Sequence, residues 1–373
     1  MAKLGEICKL NMGQSPDSSS YNDTGDGIPF FQGNADFGEI HPNIRVWCNA
    51  PTKIAHPGEI LISVRAPIGA MNIADCECCI GRGLASISAD EAVCTTKYLW
   101  YGISSKIEEL NAKGTGSTFK AVNKKTLEET EIPIRDLMEQ ERIAAKLDSV
   151  TALITLRKRQ VKKLDELVKA RFVEMFGDPV NNPMNYPKSQ LGKVCDVRDG
   201  THDSPEYYDV GYPLVTSKNV TGGKIDLSEC NLISEDDYKK ICERSKVDRG
   251  DIIMPMIGTV GKPVIVNIEP MFAIKNVALI KFTLDSLVTN IYIKTLLESD
   301  YFDRAVLDKI RGGTQKFIAL GDIRKLEIIL PDLKHQQCFS TFVERVDQQK
   351  QTVQQSLEKL ELMKKALMQE YFG

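Results

Sequence analysis

The sequence predicts a mixed α+β fold made from two copies of one arrangement, a globular α/β unit followed by a long helix. Two stretches of 41 residues, 137–177 and 333–373, align without a gap, are identical at ten positions and both end in Phe-Gly. Each stretch has apolar residues in alternating steps of four and three, which is typical of a coiled coil. The regions that precede the two stretches also share short segments in the same order.

The apolar positions predict a narrow seam along each long helix, and no Gly or Pro interrupts either run between its ends. Two helices with matching stripes most simply bury them against each other. We expect antiparallel pairing, with a pseudo-two-fold axis, because the second globular unit must fit between the end of one helix and the start of the next. The predicted seam residues are Ile143, Leu147, Val150, Ile154, Val161, Leu164, Val168, Phe339, Val343, Val346, Val353, Leu357, Leu360 and Leu367.

The globular units are predicted from alternating strand and helix signals. In the first unit, 58–64 and 84–87 are typical of short buried strands, and Lys97 to Ala112 is typical of one helix. The segment 178–187 holds three prolines and three asparagines and is therefore a linker. The second unit repeats the first, since Leu191-Gly192-Lys193-Val194-Cys195 corresponds to Leu4-Gly5-Glu6-Ile7-Cys8. We predict a first unit at 1–134, a helix at 135–177, a linker at 178–190, a second unit at 191–331 and a helix at 332–373.

Length and composition narrow the class of protein. A chain of 373 residues with 42% hydrophobic residues is expected to bury real cores in two or more domains. It has no apolar run that could span a bilayer and no signal-peptide pattern at its start, so we expect a cytoplasmic protein without a membrane partner. The ten cysteines are irregularly spaced and are expected to be reduced thiols. A net charge of −3 argues against strong nucleic-acid binding by this chain alone.

Motifs for catalysis or metal binding are missing from the sequence. The segment Gly258-Thr259-Val260-Gly261-Lys262-Pro263 lacks the spacing and the hydroxyl of a phosphate-binding loop. The pairs Gly81-Arg82-Gly83 and Gly114-Thr115-Gly116 begin like a dinucleotide loop but lack its third glycine. Cys76, Cys78 and Cys79 lack the paired spacing of a zinc site and are better explained as small residues on a strand. We therefore predict no catalytic residues, no metal and no cofactor in this chain.

Polar residues in equivalent places of the two copies are the candidate binding residues. Arginine, lysine and amide side chains can bind base edges, and serine or lysine can bind phosphates. Most single residues of this kind are solvated turn residues, but the repeated placement favours a shared role. The candidates follow matching glycines, occupy glycine loops or stand near strand ends: Gln14, Ser15, Arg65, Ser117, Lys120, Thr201, His202, Lys218, Lys262, Lys275, Asn276, Gln315 and Lys316.

The whole chain resembles the specificity (S) subunit of Type I restriction-modification systems. The resemblance rests on the duplicated layout and on Pro57-Gly58-Glu59-Ile60-Leu61-Ile62-Ser63-Val64-Arg65, on Gly116-Ser117-Thr118-Phe119-Lys120-Ala121-Val122, and on Ile132-Pro133-Ile134 before Leu137 and Gln140. The second copy departs from the first, with Pro255-Met256-Ile257 in place of Ser63-Val64-Arg65.

The resemblance implies a non-catalytic reader of double-stranded DNA. Each globular unit would be a target-recognition domain for one half of a bipartite, asymmetric site, and the helices would set the spacer. Two modification (methyltransferase) subunits that carry S-adenosylmethionine would bind the helices and methylate adenine N6. Restriction (endonuclease and translocase) subunits, with ATP and Mg, would complete the assembly.

Two other interpretations stay open from the sequence. One is a related two-domain DNA-recognition subunit of a methyltransferase-only or phage-exclusion system, which neighbouring genes would distinguish. The other is a structural coiled-coil adaptor without a DNA role, which sequence-specific DNA retention in the presence of the modification partner would distinguish. A nuclease or methylase in its own right is disfavoured by the missing motifs.

Overall fold

The computed structural model describes residues 1–114, 120–257, 262–306 and 317–373. By its internal contacts the chain divides into two units. The first unit comprises Met1–Lys158 and Gln355–Gly373, and the second comprises Arg159–Gln354. Each unit therefore contains one globular part together with a piece of both long helices. The fold is mixed α and β, as predicted.

The first unit contains three small sheets. β2, β10, β7 and β8 form an antiparallel sheet in that order, β3, β5, β4, β9 and β6 form a second sheet in which β4 and β9 are parallel, and β1 pairs with β11. The strands are β1 Ala2–Lys3, β2 Cys8–Met12, β3 Tyr21–Asn22, β4 Ile28–Phe31, β5 Trp47–Cys48, β6 Ile54–Ala55, β7 Ile60–Ser63, β8 Met71–Ile73, β9 Cys78–Ile80, β10 Leu84–Ala89 and β11 Glu131–Ile132. The helices that begin in this unit are α1 Leu4–Ile7, α2 Thr96–Ser105, α3 Ile107–Lys113, α4 Lys124–Glu128 and the long helix α5 Leu137–Phe176.

The second unit repeats this plan. β13, β21, β18 and β19 form an antiparallel sheet, β17, β14 and β20 form a sheet in which β14 and β20 are parallel, and β12 pairs with β22. The strands are β12 Lys188–Gln190, β13 Asp196–Asp199, β14 Tyr212–Val215, β15 Val220–Thr221, β16 Lys224–Ile225, β17 Asn231–Ile233, β18 Ile252–Pro255, β19 Val264–Ile265, β20 Ala273–Ile274, β21 Val277–Lys281 and β22 Glu327–Ile329. The helices are α6 Leu191–Val194, α7 Glu235–Ser245, α8 Asn290–Leu297, α9 Asp300–Ala305, α10 Leu320–Lys325 and the long helix α11 Leu333–Phe372.

Strand β7 is buried on both faces, which explains its continuous apolar sequence. Ile60 and Ile62 pack in the main core of the first unit, while Leu61 between them packs in a smaller cluster under β9. Strand β18 does the same in the second unit, because Ile252 lies in the main core and Ile253 in a separate cluster. Side chains alternate between the two faces of a strand, so such a strand joins two cores. These buried strands confirm the predicted ones.

The predicted helix from Lys97 to Ala112 is two helices, so its continuity was wrong. Lys106 leaves the helical conformation, with φ −101° and ψ 3°, and its N–H donates to the carbonyl of Ile103. That bond spans three residues instead of four and ends α2, after which α3 begins at Ile107. Helices α8 and α9 are likewise separated in the second unit.

Both long helices have 40 residues and begin at positions 196 residues apart, which matches the ungapped alignment. In the first unit, the Lys146 ammonium donates to the Tyr371 hydroxyl at 3.0 Å and Lys158 pairs with Glu361 at 2.9 Å. The two helix segments in this unit therefore run in opposite directions. The seam residues Ile143, Leu147, Val150, Ile154, Val161, Leu164, Val168, Phe339, Val343, Val346, Val353, Leu357, Leu360 and Leu367 are buried or half-buried.

In the second unit, Asp165 pairs with Lys350, and Phe172 lies 5.6 Å from Phe339 between ring centroids. The helix segments of this unit are therefore antiparallel as well. Apolar residues of α5 outside the predicted seam, such as Leu153 and Leu156, are exposed.

All ten cysteines are free thiols. Cys78 and Cys79 are buried on β9, as predicted, but Cys76 is half-buried in the bend before that strand, so its placement on a strand was wrong. Within the ranges that the structure describes, no helix combines the length and the apolar character that a membrane span requires.

Candidate functional site

A glycine follows the first strand of each four-stranded sheet and lets two chain segments approach closely. A Cβ at Gly13 would lie 2.2 Å from the Gly81 carbonyl oxygen, and one at Gly200 would lie 2.4 Å from that of Ile274. No larger residue fits at either position. The next residues, Gln14 and Thr201, are consequently held against the neighbouring strand, and each donates its N–H to a carbonyl at 3.0 Å.

A short 3-10 turn follows β4 in the first unit and β14 in the second. In the first unit the Asp36 carboxylate accepts the N–H groups of Gln32 at 2.7 Å and Gly33 at 3.2 Å. In the second unit the Asn219 amide oxygen accepts the Thr216 N–H at 3.0 Å and its hydroxyl at 2.8 Å. These side chains fix the turns from inside, so the outward residues of each turn keep a defined position.

The turn after β9, and its equivalent after β20, completes the arrangement. The Gly81 N–H donates to the Phe31 carbonyl at 2.8 Å, and the Lys275 N–H donates to that of Val215 at 2.9 Å. The glycine segment, the 3-10 turn and this third turn therefore converge in each unit. The same three loops frame a polar surface twice.

In the first unit the three loops and the end of β7 enclose a cleft, here called the first cleft. The Ser15 hydroxyl accepts the Arg82 N–H at 3.2 Å, which ties the glycine segment to the third turn. Arg65 and Arg82 are exposed at its edge. Lys120 is exposed beside it, and its carbonyl accepts the Ala66 N–H at 3.1 Å. The lining residues are Ser15, Gln32, Gly33, Asn34, Arg65, Ala66, Arg82 and Gly83.

In the second unit a group of hydrogen-bonded side chains occupies the equivalent surface, here called the histidine cluster: Asp199, His202, Arg244 and Asn276. His202 contacts Asn276 Oδ1 through Nδ1 at 2.8 Å and Asp199 Oδ2 through Nε2 at 2.9 Å. Arg244 pairs with the other oxygen of Asp199. The cluster therefore places one positively charged group and one titratable ring around a largely buried carboxylate.

The hydrogen bonds of His202 set its protonation. The bond with Asn276, followed by the bond with Asp199, raises its pKa above the ordinary value of about 6.5. A protonated imidazole donates from both nitrogens and so satisfies both oxygen acceptors. Protonation therefore tightens the cluster and adds a positive charge to this surface.

The remaining candidates of the second unit surround the cluster. Thr201 forms a bridge with Lys275, whose ammonium donates to the Ser204 hydroxyl at 2.7 Å. Asn276 has φ +55°, a left-handed conformation that asparagine tolerates better than most residues. The Ser217 hydroxyl donates to the Asn276 carbonyl at 3.5 Å, which brings the exposed neighbour Lys218 to the same surface.

The structure does not bring every predicted residue together. Lys262 is exposed before β19, and among the described residues it makes no hydrogen bond or ion pair with the histidine cluster. Ser117, Gln315 and Lys316 lie outside the described residues. The position of Arg65 is taken by Ile257 in the second unit, since Arg65 bridges Ala121 as Ile257 bridges Phe317. The binding roles of all thirteen candidates stay predictions.

Sequence reasoning missed Gln32, Asn34 and Arg82 in the first cleft, and Asp199 and Arg244 in the histidine cluster. Arg82 is 67 residues from Ser15, and Arg244 is 45 residues from Asp199, so no local pattern joins either pair. The duplication was the available signal, because the turn with Arg82 corresponds to the predicted pair Lys275 and Asn276.

The chain is similar to known proteins along most of its length. The model of the Type I restriction modification DNA specificity domain matches residues 1–166 and 183–362. The putative type I restriction enzyme MjaX specificity subunit of Methanocaldococcus jannaschii is 42% identical over 161 residues, which are 43% of this chain and 38% of that protein. The alignment therefore spans less than half the length of this relative.

Other relatives align over more of the chain. The type I restriction enzyme MjaIX specificity subunit of the same organism is 27% identical over 324 residues, 78% of this chain and 71% of that protein. The crystal structure of the Type-I restriction-modification system S subunit from M. genitalium is 15% identical, has a TM-score of 0.57, and covers 100% of this chain and 95% of its own. The similarity to the M. genitalium structure shows the fold alone.

The family model matches two long segments that each contain one globular part, in agreement with the duplication seen in the sequence and in the sheets that recur in both units. The resemblance inferred from the sequence is thereby confirmed. The chain belongs to the family of the Type I restriction modification DNA specificity domain.

Proposed function

We propose that this chain is the DNA sequence-specificity subunit of a Type I restriction-modification complex and has no catalytic site of its own. The observation that carries the proposal is one framework of three converging loops that occurs twice and presents different side chains. A framework that carries different side chains in its two copies suits a protein that recognises two different base sequences on one DNA molecule. The target would then be bipartite and asymmetric.

The side chains in both places suit base edges. The first cleft offers the amides of Gln32 and Asn34 and the guanidinium groups of Arg65 and Arg82. The histidine cluster offers the NH2 group of Asn276, whose amide oxygen is bonded to His202. These groups pair with the donors and acceptors that base pairs present in the major groove.

The helices would set the distance between the two half-sites. Forty residues at about 1.5 Å each give a length of roughly 60 Å per helix. We propose that α5 and α11 pair along their seams as an antiparallel coiled coil and relate the two halves by a pseudo-two-fold axis. The matching lengths, the antiparallel segments in each unit and the buried seam positions support this arrangement.

Partners would complete the activity. The exposed sides of the helices would bind two modification subunits that carry S-adenosylmethionine, and restriction subunits would add ATP, Mg and DNA cleavage. The net charge of −3 favours an assembly in which the partner subunits supply much of the contact with the DNA phosphates. The five-segment domain division and a cytoplasmic location belong to the same proposal.

Replacement of one unit tests the proposal. A foreign second unit is grafted in place of residues 191–330 in a host that carries the intact system, and the methylated motif is determined by methylome sequencing. We expect one half of a bipartite motif to change and the other half to stay. Loss of both halves would mean that the units do not read separately, and a wild-type host without any bipartite methylated motif would refute the proposed function.

A further inference from the structure

Two arginines of the first cleft differ from most other arginines of the first unit. Arg45 pairs with Asp36, and Arg142 pairs with Glu139. Neither Arg65 nor Arg82 makes a side-chain hydrogen bond or ion pair with any residue in the described ranges of the chain, and both are exposed. Their guanidinium groups are consequently available to a ligand.

The backbone under both arginines is held firmly. The Val64 N–H donates to the Gly83 carbonyl at 2.9 Å, so the residue before Arg65 is bonded directly to the residue after Arg82. On the other side, the Ala66 N–H donates to Lys120, and the Arg82 N–H donates to the Ser15 hydroxyl. Because the backbone that carries the two guanidinium groups is already held in place, it loses little conformational freedom on binding. This favours binding with a defined geometry over non-specific electrostatic attraction.

The rest of the lining indicates what the ligand presents. No lining residue among those described is acidic, and the amides of Gln32 and Asn34 lie beside the two arginines. Guanidinium groups donate only, in a planar fork, whereas amides both donate and accept. The cleft therefore fits a flat edge with paired acceptors and a neighbouring donor. On the major-groove side, guanine has two adjacent acceptors, O6 and N7, and its partner cytosine has a donor.

We propose that Arg65 and Arg82 read guanine in the half-site that the first unit binds. This rests on the proposed function and names the base that the first cleft selects. Each arginine would donate two parallel hydrogen bonds to O6 and N7 of one guanine. A phosphate oxygen could also accept hydrogen bonds from these arginines. The sequence preference and the salt dependence of lysine variants distinguish guanine from phosphate as the ligand.

Among the residues that the structure describes, the second unit has no equivalent of this arginine pair. Ile257 stands where the first unit has Arg65. The turn equivalent to that of Arg82 carries Lys275 and Asn276, which already bond to Ser204 and His202. Arg244 of that unit is paired with Asp199. The guanine preference therefore belongs to one half of the site, and it distinguishes the two halves.

The test uses the full-length protein purified with its partner subunits from a host that carries the intact system. Random double-stranded oligonucleotides are selected for binding, and the enriched sequences of the wild type, Arg82→Lys and Arg65→Lys are compared at several salt concentrations. Lysine keeps the charge but cannot donate in the planar fork. Arg304→Lys is the matched control, because Arg304 is exposed on α9, away from the long helices, and is paired with Asp178. Unchanged thermal unfolding checks that each variant is folded.

For the wild type we expect guanine at defined positions of one half-site. Arg82→Lys and Arg65→Lys should each lower the preference for guanine at one position by about 5- to 150-fold and leave the other half-site unchanged. Arg304→Lys should leave the whole motif unchanged. This result would support the inference.

Two other results would overturn it, and they differ from each other. If both arginine variants keep the wild-type motif and lose affinity equally for all sequences, with a shallower salt dependence, the arginines bind phosphate and only the inference fails. If the wild type enriches no bipartite motif at all, the proposed function fails together with the inference.

Discussion

The side-chain amide oxygen of Gln336 accepts the backbone N–H of Thr289 at 2.8 Å. The same glutamine donates to the carbonyls of Leu287 at 3.1 Å and Pro331 at 2.8 Å, and it is fully buried at the start of α11. Gln140 makes the same three bonds at the start of α5, with Thr95, Val93 and Arg135. One buried amide in each half therefore joins a long helix to the N-cap residue of a shorter one.

Replacement of Gln336 by alanine should be strongly destabilising. It leaves three backbone groups without partners, one of them buried and two partly buried, so we expect the free energy of unfolding to fall by about 2–4 kcal/mol. Gln337→Ala is the control, because Gln337 is the next residue of the helix and is exposed; its effect should stay within about 0.5 kcal/mol. Chemical denaturation measures both, and equal losses would contradict the role of the buried amide.

Phe372 should stabilise the first unit and leave the second unaffected. Its ring lies 4.9 Å from that of Tyr98, and both are fully buried. Phe372→Ala should cost about 3–5 kcal/mol and accelerate amide hydrogen exchange in α2 but not in α8. Met363→Ala is the control on an exposed face of the same helix. Equal acceleration in α2 and α8 would contradict this prediction.

The histidine cluster should make the second unit sensitive to pH. Because hydrogen bonds raise the pKa of His202 in the folded protein, its stabilising effect is complete below about pH 6.5 and is lost as the pH rises through the raised value. Asn276→Gly removes the largest cause while glycine keeps the positive φ. An NMR titration should show that this variant lowers the pKa of His202. If the pKa of His202 is the same in the variant and in the wild type, the bond with Asn276 does not raise it.

Lys364 occupies a seam position of α11, a pattern in which most other positions are apolar. Burial, and then the nearby Lys158, lowers its pKa, so its charge opposes folding below the ordinary lysine pKa of about 10.4. Lys364→Leu should raise the free energy of unfolding by about 1 kcal/mol at pH 7, and this gain should shrink as the pH approaches 10. Lys365→Leu on the exposed side is the control. Destabilisation by Lys364→Leu would mean that the contact of the ammonium with the Tyr101 ring, at 6.0 Å, dominates.

Matched insertions in the two long helices should lengthen the spacer of the recognised site. Seven residues after Lys158 and seven after Gln354, where the division between the units cuts both helices, keep the heptad phase and add about 10 Å, on the order of three base pairs. We expect methylome sequencing to find unchanged half-sites with a longer unspecified spacer. Two-residue insertions rotate the seam and should destabilise the protein. An unchanged spacer after the matched insertions would mean that another element sets the distance.

The sequence predicted the features that recur along the chain. The spacing of residues such as Leu147 and Val343 predicted the extent of both long helices, because helical periodicity is a local signal. The alignment of the two copies also predicted that Ile257 replaces Arg65, which the two isolated bridges bear out.

The candidate binding surfaces could be predicted only in part. Gln14 and Ser15 were found because Gly13 and Gly200 mark equivalent places in the two copies. Arg82 was not found, since its place beside Ser15 depends on the packing of β4 against β9, which no local pattern encodes. The break between α2 and α3 was missed because no proline marks it, and the two serines before Lys106 are only moderately unfavourable in a helix.

The composition of the first unit has a consequence for the order of events during synthesis. Its core includes Leu367, Tyr371 and Phe372, although the rest of that core comes from the first 154 residues. The second unit is one continuous segment, Arg159–Gln354, and leaves the ribosome before those three residues do. The part translated first is therefore the part whose core is completed last. Until those residues are made, the apolar surface of the first unit stays incomplete, and exposed apolar surface of this kind is prone to aggregation.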